Sequence, residues 1–211
     1  MESAHPNGRN RILRLIAAAA VAASLFFLNP MPASAEPTGG QYPQSQTAEG
    51  RQSSITWNLV RATNPTQDQQ EAYGLITSAM NAAVARYNNL SDLGKNITVH
   101  YDPSVPTADG NINGTIRFGA RASMNERTAL HEIAHTIGVG TSGDWGPLGC
   151  GGTYNGAQAT ALVRQYDGSS AAIKCDGSHF WPYGLNYDSE FSQTNADRHV
   201  EIVEAMVRDG L

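Results

Sequence analysis

The chain has 211 residues, of which 40% are hydrophobic and 16% charged, and its formal net charge is −5. This length suits one domain with a single hydrophobic core. An acidic chain of this kind does not favour nucleic acid or an anionic membrane surface as a partner.

Residues 1–35 have the pattern of a secretory signal peptide. They contain a basic start at Arg9, Arg11 and Arg14, an apolar core over 15–28 and a small-residue cleavage site at Ala33-Ser34-Ala35. The apolar core is too short to span a membrane. We therefore expect a secreted, extracellular protein without a membrane partner after cleavage. The mature chain would have 176 residues, with eleven basic and eighteen acidic side chains.

Residues 36–52 are rich in Gly, Pro, Gln and Ser, which is typical of a disordered leader. A folded pattern then continues over residues 53–211 without an internal repeat. We expect one domain, with an upper part over 53–140 and a more irregular lower part over 141–211.

Three strands and one long helix are predicted in the upper part. Residues 54–60, 96–101 and 115–118 are rich in β-branched and aromatic side chains, and the last of these strands is expected at the edge of the sheet. Asn64-Pro65-Thr66 is a helix start signal, and the helix should run to about residue 89. Apolar residues recur along it at helical spacing: Ala72, Leu75, Ile76, Ala79, Met80, Ala83 and Tyr87.

Residues 109–114 match the first half of a calcium-binding loop, D-x-N-x-N-G. The twelfth position of such a loop requires a bidentate glutamate, and this chain has Ala120 there. We therefore expect a plain turn, with calcium binding as the alternative.

The segment His131-Glu132-Ile133-Ala134-His135 reads HExxH. Residues i and i+4 lie one turn apart on the same face of a helix, so both imidazoles can reach one metal ion. Glu132 follows the first of these histidines and can act as a general base on a water that the metal activates. The spacing therefore predicts a zinc-binding and water-activating site.

Helix boundaries are indicated by polar caps and by glycines. Ser123 and Glu126 form a capping-box pattern at the start of the HExxH helix, and Gly138 and Gly140 predict its end. Asn155 is expected to cap a short helix over 157–166. Asn195 is expected to cap a C-terminal helix that ends near residue 208 and buries Val200, Val203, Met206 and Val207.

The chain has two cysteines, Cys150 and Cys175. In an oxidising compartment an isolated pair predicts one disulfide, and closing this loop would stabilise the fold by about 3 kcal/mol. Metal ligation by the two thiolates is the alternative, but two lone cysteines at this spacing match no zinc pattern.

Residues 131–138, HEIAHTIG, are similar to the metzincin pattern HExxHxxGxxH of zinc peptidases. The predicted order of elements also resembles this family. The resemblance implies an α+β, zincin-like fold with a small twisted sheet, a long scaffold helix, an active-site helix and an irregular lower part ending in a helix. It also implies one catalytic zinc ion. The family's methionine turn is not matched, because Met206 is the only methionine after His179 and lies on a predicted helix.

The third histidine of the family would fall at position 141, where this chain has Thr141. A hydroxyl is a poor zinc ligand, and a catalytic zinc normally has three protein ligands. His179 is favoured, because the predicted disulfide draws the preceding segment toward the loop that leaves the active helix. The leishmanolysin type likewise takes its third histidine from far downstream. The alternatives are Asp144, His199, expected on a helix surface, and His100 in a strand.

The resemblance implies a secreted metalloendopeptidase acting on a polypeptide substrate. Glu132 would take a proton from the attacking water and pass it to the leaving amine. Tyr183 and Tyr187 are candidates for support of the oxyanion, with packing in an aromatic cluster as the alternative. Asp188 and Glu190 are candidates for hydrogen bonds to a ligand histidine.

Two other functions stay open. The first is a non-catalytic secreted binding or adhesion protein on a metalloprotease scaffold, for which the aromatic run over 180–187 could supply a surface. The intact Glu132 speaks against this alternative. The second is a zinc amidase acting on cell-wall peptides. A monomer is expected in each case.

Overall fold

A computed structural model describes residues 54–211, all of which belong to one compact unit. The predicted signal peptide over 1–35 and leader over 36–52 lie outside the described residues. No helix in this part of the chain combines the length and the apolarity that a membrane span requires. The fold is mixed α+β, with a small mixed sheet and four helices.

The main sheet has four strands: β1 (Ile55–Leu59), β2 (Lys95–Tyr101), β3 (Ala108–Asn111) and β4 (Thr115–Phe118). Their order is β1-β2-β4-β3. The β1–β2 and β2–β4 pairs are parallel, whereas β3 and β4 are antiparallel. The three predicted strands are confirmed to within one residue at each end.

The predicted edge position of β4 is wrong, because β3 pairs with its outer side. The sequence of β3, Ala-Asp-Gly-Asn, lacks the apolar alternation that indicates a strand. Tertiary contacts hold β3 in place. Asp109 lies opposite Arg117 and accepts a hydrogen bond from its Nε at 2.9 Å.

The calcium-like segment forms the end of β3 and the turn into β4. The Asn111 side-chain oxygen accepts a hydrogen bond from the Asn113 backbone N–H at 3.0 Å, and the Asn113 side-chain oxygen accepts one from Thr115 at 3.0 Å. Gly114 adopts a φ of 88°, which closes the turn. The side-chain oxygens that a calcium loop would direct at the ion therefore stabilise a hairpin.

Helix α1 (Gln67–Leu90) begins with a capping box in which Thr66 and Gln69 bond each other's backbone. Its apolar face packs on the sheet and on the next helix, and Ile76, Met80 and Tyr87 are fully buried. Leu75 departs from the predicted stripe and is 43% exposed.

Helix α2 (Glu126–Ile137) carries the HExxH segment. The predicted cap is wrong, since Ser123 ends a short 3₁₀ turn and Asn125 caps the helix by accepting a hydrogen bond from Thr128 N–H. Glu126 pairs instead with Arg86 at 2.8 Å. The predicted end is confirmed, because Gly138 has a φ of 141° and its N–H bonds the Ala134 carbonyl.

Helix α3 (Ala157–Asp167) has no side-chain cap of its own. Asp209, from the far end of the chain, accepts hydrogen bonds from the N–H groups of Gln158 at 2.7 Å and Ala159 at 3.0 Å. The predicted cap by Asn155 is therefore wrong, because the orphan donors of this helix are satisfied by a residue about 50 positions away.

The N-cap of helix α4 (Gln193–Arg208) is Ser192, three residues before the predicted cap Asn195, and its hydroxyl accepts the capping hydrogen bond from Asn195 N–H at 3.1 Å. Val200, Val203 and Met206 of the predicted apolar stripe are fully buried, whereas Val207 is only half-buried. The irregular chain before α4 contains one small sheet of β5 (Lys174–Cys175) and β6 (Phe180–Trp181).

Candidate metal centre

His131 and His135 lie one helical turn apart on α2, and their Nε2 atoms are 3.1 Å apart. Two nitrogens bound to a tetrahedral zinc ion at 2.0–2.1 Å would be separated by about 3.3 Å. The spacing of the two imidazoles in the structure therefore fits one shared metal ion.

His179 joins these two histidines. Its ring centroid lies 5.5 Å from that of His131 and 5.9 Å from that of His135. One ligand atom from each residue can be chosen so that all three lie within 4.8 Å of one another. No other set of three His, Cys, Asp or Glu side chains among residues 54–211 is this close. The structure thus brings the three predicted histidines together.

The segment that carries His179 is joined to the loop that follows α2 by three contacts. The predicted disulfide between Cys150 and Cys175 is formed, with 5.0 Å between the Cα atoms. The indole N–H of Trp145 donates to the Asp176 carbonyl at 2.9 Å. Gly140, at a φ of 66°, packs so closely that a Cβ there would lie 2.4 Å from the Ser178 carbonyl oxygen.

Each of the three imidazoles directs its Nδ1 at an oxygen atom. The partners are the Gly184 carbonyl at 2.8 Å from His131, the Val139 carbonyl at 2.7 Å from His135 and the Asp176 carboxylate at 3.4 Å from His179. These contacts favour the tautomer with Nδ1 protonated and leave each Nε2 available as a ligand. The donor set fits a divalent metal that prefers imidazole, such as zinc, copper, iron or nickel.

Burial keeps the histidines of α2 neutral. Removal from water, assisted by the neighbouring His135, lowers the pKa of His131 to about 3. Burial likewise lowers the pKa of His135, although its hydrogen bond to Val139 opposes the shift. A metal ion binds neutral imidazole, so both rings are in the ligand form at neutral pH.

Glu132 is 5% exposed and lines the same cleft as the three histidines. Its carboxyl group makes no hydrogen bond to any described residue. Burial raises its pKa to about 8, the charge of Asp109 adds to the shift, and the charge of Arg127 opposes it. A metal ion held by the histidines would lower this pKa, because a nearby cation favours the carboxylate.

The cleft has a volume of about 390 Å³ and lies between α2, β3 and the segment with His179. Strand β3 reaches α2 through Gly110, where a Cβ would lie 2.3 Å from the Glu132 carbonyl oxygen. Besides the histidines and Glu132, the polar residues that line the cleft are Thr107, Asp109, Ser123, Arg127, Thr128, Thr141, Ser178 and Asn186. Hydroxyl, carboxyl, amide and guanidinium groups therefore surround the candidate metal centre.

Thr141 and Asp144 do not join the histidine cluster. The Thr141 hydroxyl donates to the His135 carbonyl at 2.6 Å and so ties the last turn of α2 to the following loop. Asp144 is exposed, and its backbone N–H and carboxylate both contact the Ser142 hydroxyl.

His199 and His100 also lie outside the cluster. The expectation that His199 lies on a helix surface is wrong, since this side chain is fully buried. Its ring nitrogens face the Tyr183 carbonyl at 2.7 Å and the Leu130 carbonyl at 3.1 Å. His199 therefore connects α4 to the residue before His131 without reaching the cluster.

The two predicted tyrosines do not line the cleft. The Tyr183 hydroxyl donates to the Asp167 carboxylate at 2.6 Å and accepts from Arg198, also at 2.6 Å. Tyr187 is 64% exposed. The Tyr183 hydroxyl therefore belongs to a polar cluster outside the cleft that the three histidines line.

The carboxylate beside a candidate ligand histidine is that of Asp176 and not that of Asp188 or Glu190. Asp188 pairs with Arg127 at 2.9 Å, and Glu190 accepts from the Asn186 backbone N–H at 2.8 Å. Asp176 also accepts the backbone N–H groups of Ser178 and His179. The sequence Asp-Gly-Ser-His is typical of such an aspartate turn, so this local pattern could have indicated that Asp176 lies beside His179.

Comparisons with protein-family models, curated proteins and solved structures found no match. The fold is mixed α+β, and its three-histidine cluster is close enough to bind one metal ion and is compatible with a zincin-like site.

Proposed function

We propose that this protein is a secreted zinc-dependent metalloendopeptidase with Glu132 as its general base. The observation that supports the proposal is the shared cleft, in which Glu132 stands beside His131, His135 and His179. A carboxylate next to an imidazole triad is an arrangement suited to metal-assisted hydrolysis of an amide.

The residues divide the chemistry between them. The three imidazoles would hold zinc, which when bound polarises a carbonyl group and acidifies water. Glu132 would accept the proton of the attacking water and return it to the nitrogen of the leaving amine. Because Glu132 is buried, its charge acts in a low effective dielectric and its effect on the reacting atoms is strong.

Secretion is part of the proposal. The pattern over residues 1–35 predicts export, and the disulfide between Cys150 and Cys175 is of the kind that persists in oxidising compartments.

The test measures zinc stoichiometry and casein cleavage for the wild type and for Glu132→Gln and His179→Ala. We expect Glu132→Gln to bind zinc and lose cleavage, and His179→Ala to lose both. Glu71→Gln, an exposed glutamate on α1, and His100→Ala, on β2, serve as matched controls and should behave as the wild type.

Three results would replace the proposal. Full cleavage by Glu132→Gln would exclude the general-base mechanism. Zinc binding without cleavage of any peptide would indicate the binding or adhesion protein, whereas cleavage of cell-wall peptides but not casein would indicate the amidase.

A further inference from the structure

Four consecutive backbone carbonyls next to the metal centre all point at side-chain nitrogens. They belong to residues 183–186, which connect β6 to the turn before α4. Their partners are His199 for Tyr183, His131 for Gly184 and Arg127 for both Leu185 and Asn186. One of these partners, His131, is a candidate metal ligand.

The backbone of this segment adopts an unusual conformation. Tyr183 has a φ of 69° and Leu185 a φ of 56°, in the left-handed region that residues with a side chain rarely occupy. Such a conformation persists only where the surrounding contacts determine it. The segment therefore depends on its hydrogen-bond donors to keep the Gly184 carbonyl directed at His131.

Arg127 supplies two of those hydrogen bonds. It lies on α2 one turn before His131, and its side chain is 16% exposed. Its guanidinium donates to the Leu185 carbonyl at 3.0 Å, to the Asn186 carbonyl at 3.3 Å and to the Asp188 carboxylate at 2.9 Å. A planar guanidinium can bond several acceptors at once in one rigid geometry, which a lysine ammonium cannot reproduce.

For the position of residues 183–186, the contacts of Arg127 with the two carbonyls matter more than its ion pair with Asp188. The Asp188 side chain is 85% exposed, so its attraction to Arg127 is screened by water. The two carbonyls that Arg127 contacts follow directly after the Gly184 carbonyl. Holding them holds the acceptor of His131 Nδ1 in place.

We propose that Arg127 is a positioning residue for the metal centre. By holding residues 185 and 186, it keeps the Gly184 carbonyl at 2.8 Å from His131 Nδ1 and so selects the tautomer whose Nε2 faces the other histidines. The inference rests on the proposed metal site, but its first test requires neither metal nor peptide cleavage.

The first measurement is the tautomer of His131 in the metal-free protein, read from long-range proton–nitrogen NMR correlations. The wild type should show Nδ1 protonated. Arg127→Ala should show a mixture of the two neutral tautomers, because the Gly184 carbonyl is no longer held. The His135 tautomer should not change, since its acceptor, the Val139 carbonyl, belongs to another segment.

The second measurement is the zinc dissociation constant from competition with a chelator. Loss of a direct outer contact to a ligand histidine weakens metal binding by about 10- to 100-fold. Arg127 acts one contact further out, and an even tautomer mixture halves the competent form, so we expect Arg127→Ala to weaken zinc binding by about 2- to 10-fold. Arg127→Lys keeps the charge and the aliphatic stem but loses the planar donors. Arg127→Lys should lose less zinc affinity than Arg127→Ala. If Arg127→Ala does not fold, Arg127→Lys tests the positioning role.

Two control variants separate the proposed role from simpler ones. Asp188→Asn removes the ion pair and should leave the tautomer and the zinc affinity unchanged. Arg164→Ala removes an exposed arginine whose Nε donates to the Ala171 carbonyl at 3.4 Å, away from the site, and should also have no effect.

The proposal is overturned if the Arg127 variants keep the wild-type tautomer of His131 and the wild-type zinc affinity. It is also overturned if Asp188→Asn weakens zinc binding as much as Arg127→Ala does, because the ion pair would then be the cause. A wild type that bound no zinc would refute the proposed function, whereas the tautomer measurement would still decide the role of Arg127.

Discussion

Gly140 and Ser178 are in such close contact that a Cβ at position 140 would lie 2.4 Å from the Ser178 carbonyl oxygen. Gly140 follows the end of α2, which carries His131 and His135, and Ser178 precedes His179. This contact therefore joins the two parts of the chain that supply the histidine cluster.

We expect Gly140→Ala to weaken zinc binding and to destabilise the protein. The added methyl group meets backbone, and alanine disfavours the φ of 66° found at Gly140. Strain of this kind costs on the order of 1–3 kcal/mol. Urea unfolding and chelator competition would measure the two effects.

Gly143→Ala is the matched control for this substitution. Gly143 lies in the same loop, and a Cβ there would meet nothing within 4 Å. If the two alanine variants had equal stability and equal zinc affinity, the contact with Ser178 would not be what holds His179 in place.

His199 should make the stability of the metal-free protein depend on pH. Burial lowers the pKa of His199 to about 4, although its hydrogen bonds to Tyr183 and Leu130 oppose the shift. The unfolded chain binds this proton below about pH 6.5. Between pH 6.5 and 4 the unfolded state therefore holds more protons, and stability is lost as the pH falls.

The size of this contribution is on the order of 3 kcal/mol once the pH has fallen to about 4. The low pKa of His131 acts in the same direction, whereas the raised pKa of Glu132 acts in the opposite direction between about pH 4.5 and 8. Urea unfolding of the wild type and of His199→Gln at pH 7.5 and pH 5 isolates the contribution of His199 to the pH dependence of the free energy of unfolding. An identical loss of stability in both proteins would contradict the prediction.

Asp209 should stabilise α3 from outside that helix. It accepts hydrogen bonds from Gln158 and Ala159, so Asp209→Ala leaves two N–H groups without their partner. Loss of a helix cap costs about 1 kcal/mol, and up to about 2 kcal/mol. Urea unfolding should show a lower free energy of unfolding for this variant.

Asn155→Ala provides the comparison for Asp209→Ala. Asn155 is the cap that the sequence predicts, yet it is exposed and Gly156 occupies the capping position. We expect Asn155→Ala to lower the free energy of unfolding less than Asp209→Ala does. The reverse order would mean that Asn155 caps α3, as the sequence predicts.

Local patterns in the sequence predict much of this protein. Helical periodicity places His131, Glu132 and His135 on α2, and glycine at position 138 marks its end, because both depend only on residues within a few positions of one another. The strands that alternate, β1, β2 and β4, are predicted for the same reason.

Strand β3 and the caps of α2, α3 and α4 are where sequence reasoning fails. Strand β3 has no apolar alternation and is held by pairing with β4. Several polar residues lie near the start of α2, and the sequence alone does not rank Ser123 below Asn125. For α3 the acceptor is Asp209, about 50 positions away, which no local pattern indicates.

In the histidine cluster, too, some features follow from local sequence and others only from tertiary contacts. The sequence by itself determines two of its members and, through the cysteine pair, indicates His179 as the third. Tertiary structure alone decides that the Gly184 carbonyl orients the His131 ring and that Arg127 holds the segment beside it. The reason is physical: helix periodicity is set by neighbouring residues, whereas these contacts join positions more than 50 residues apart, such as Arg127 and Leu185, and form only when the whole chain has packed.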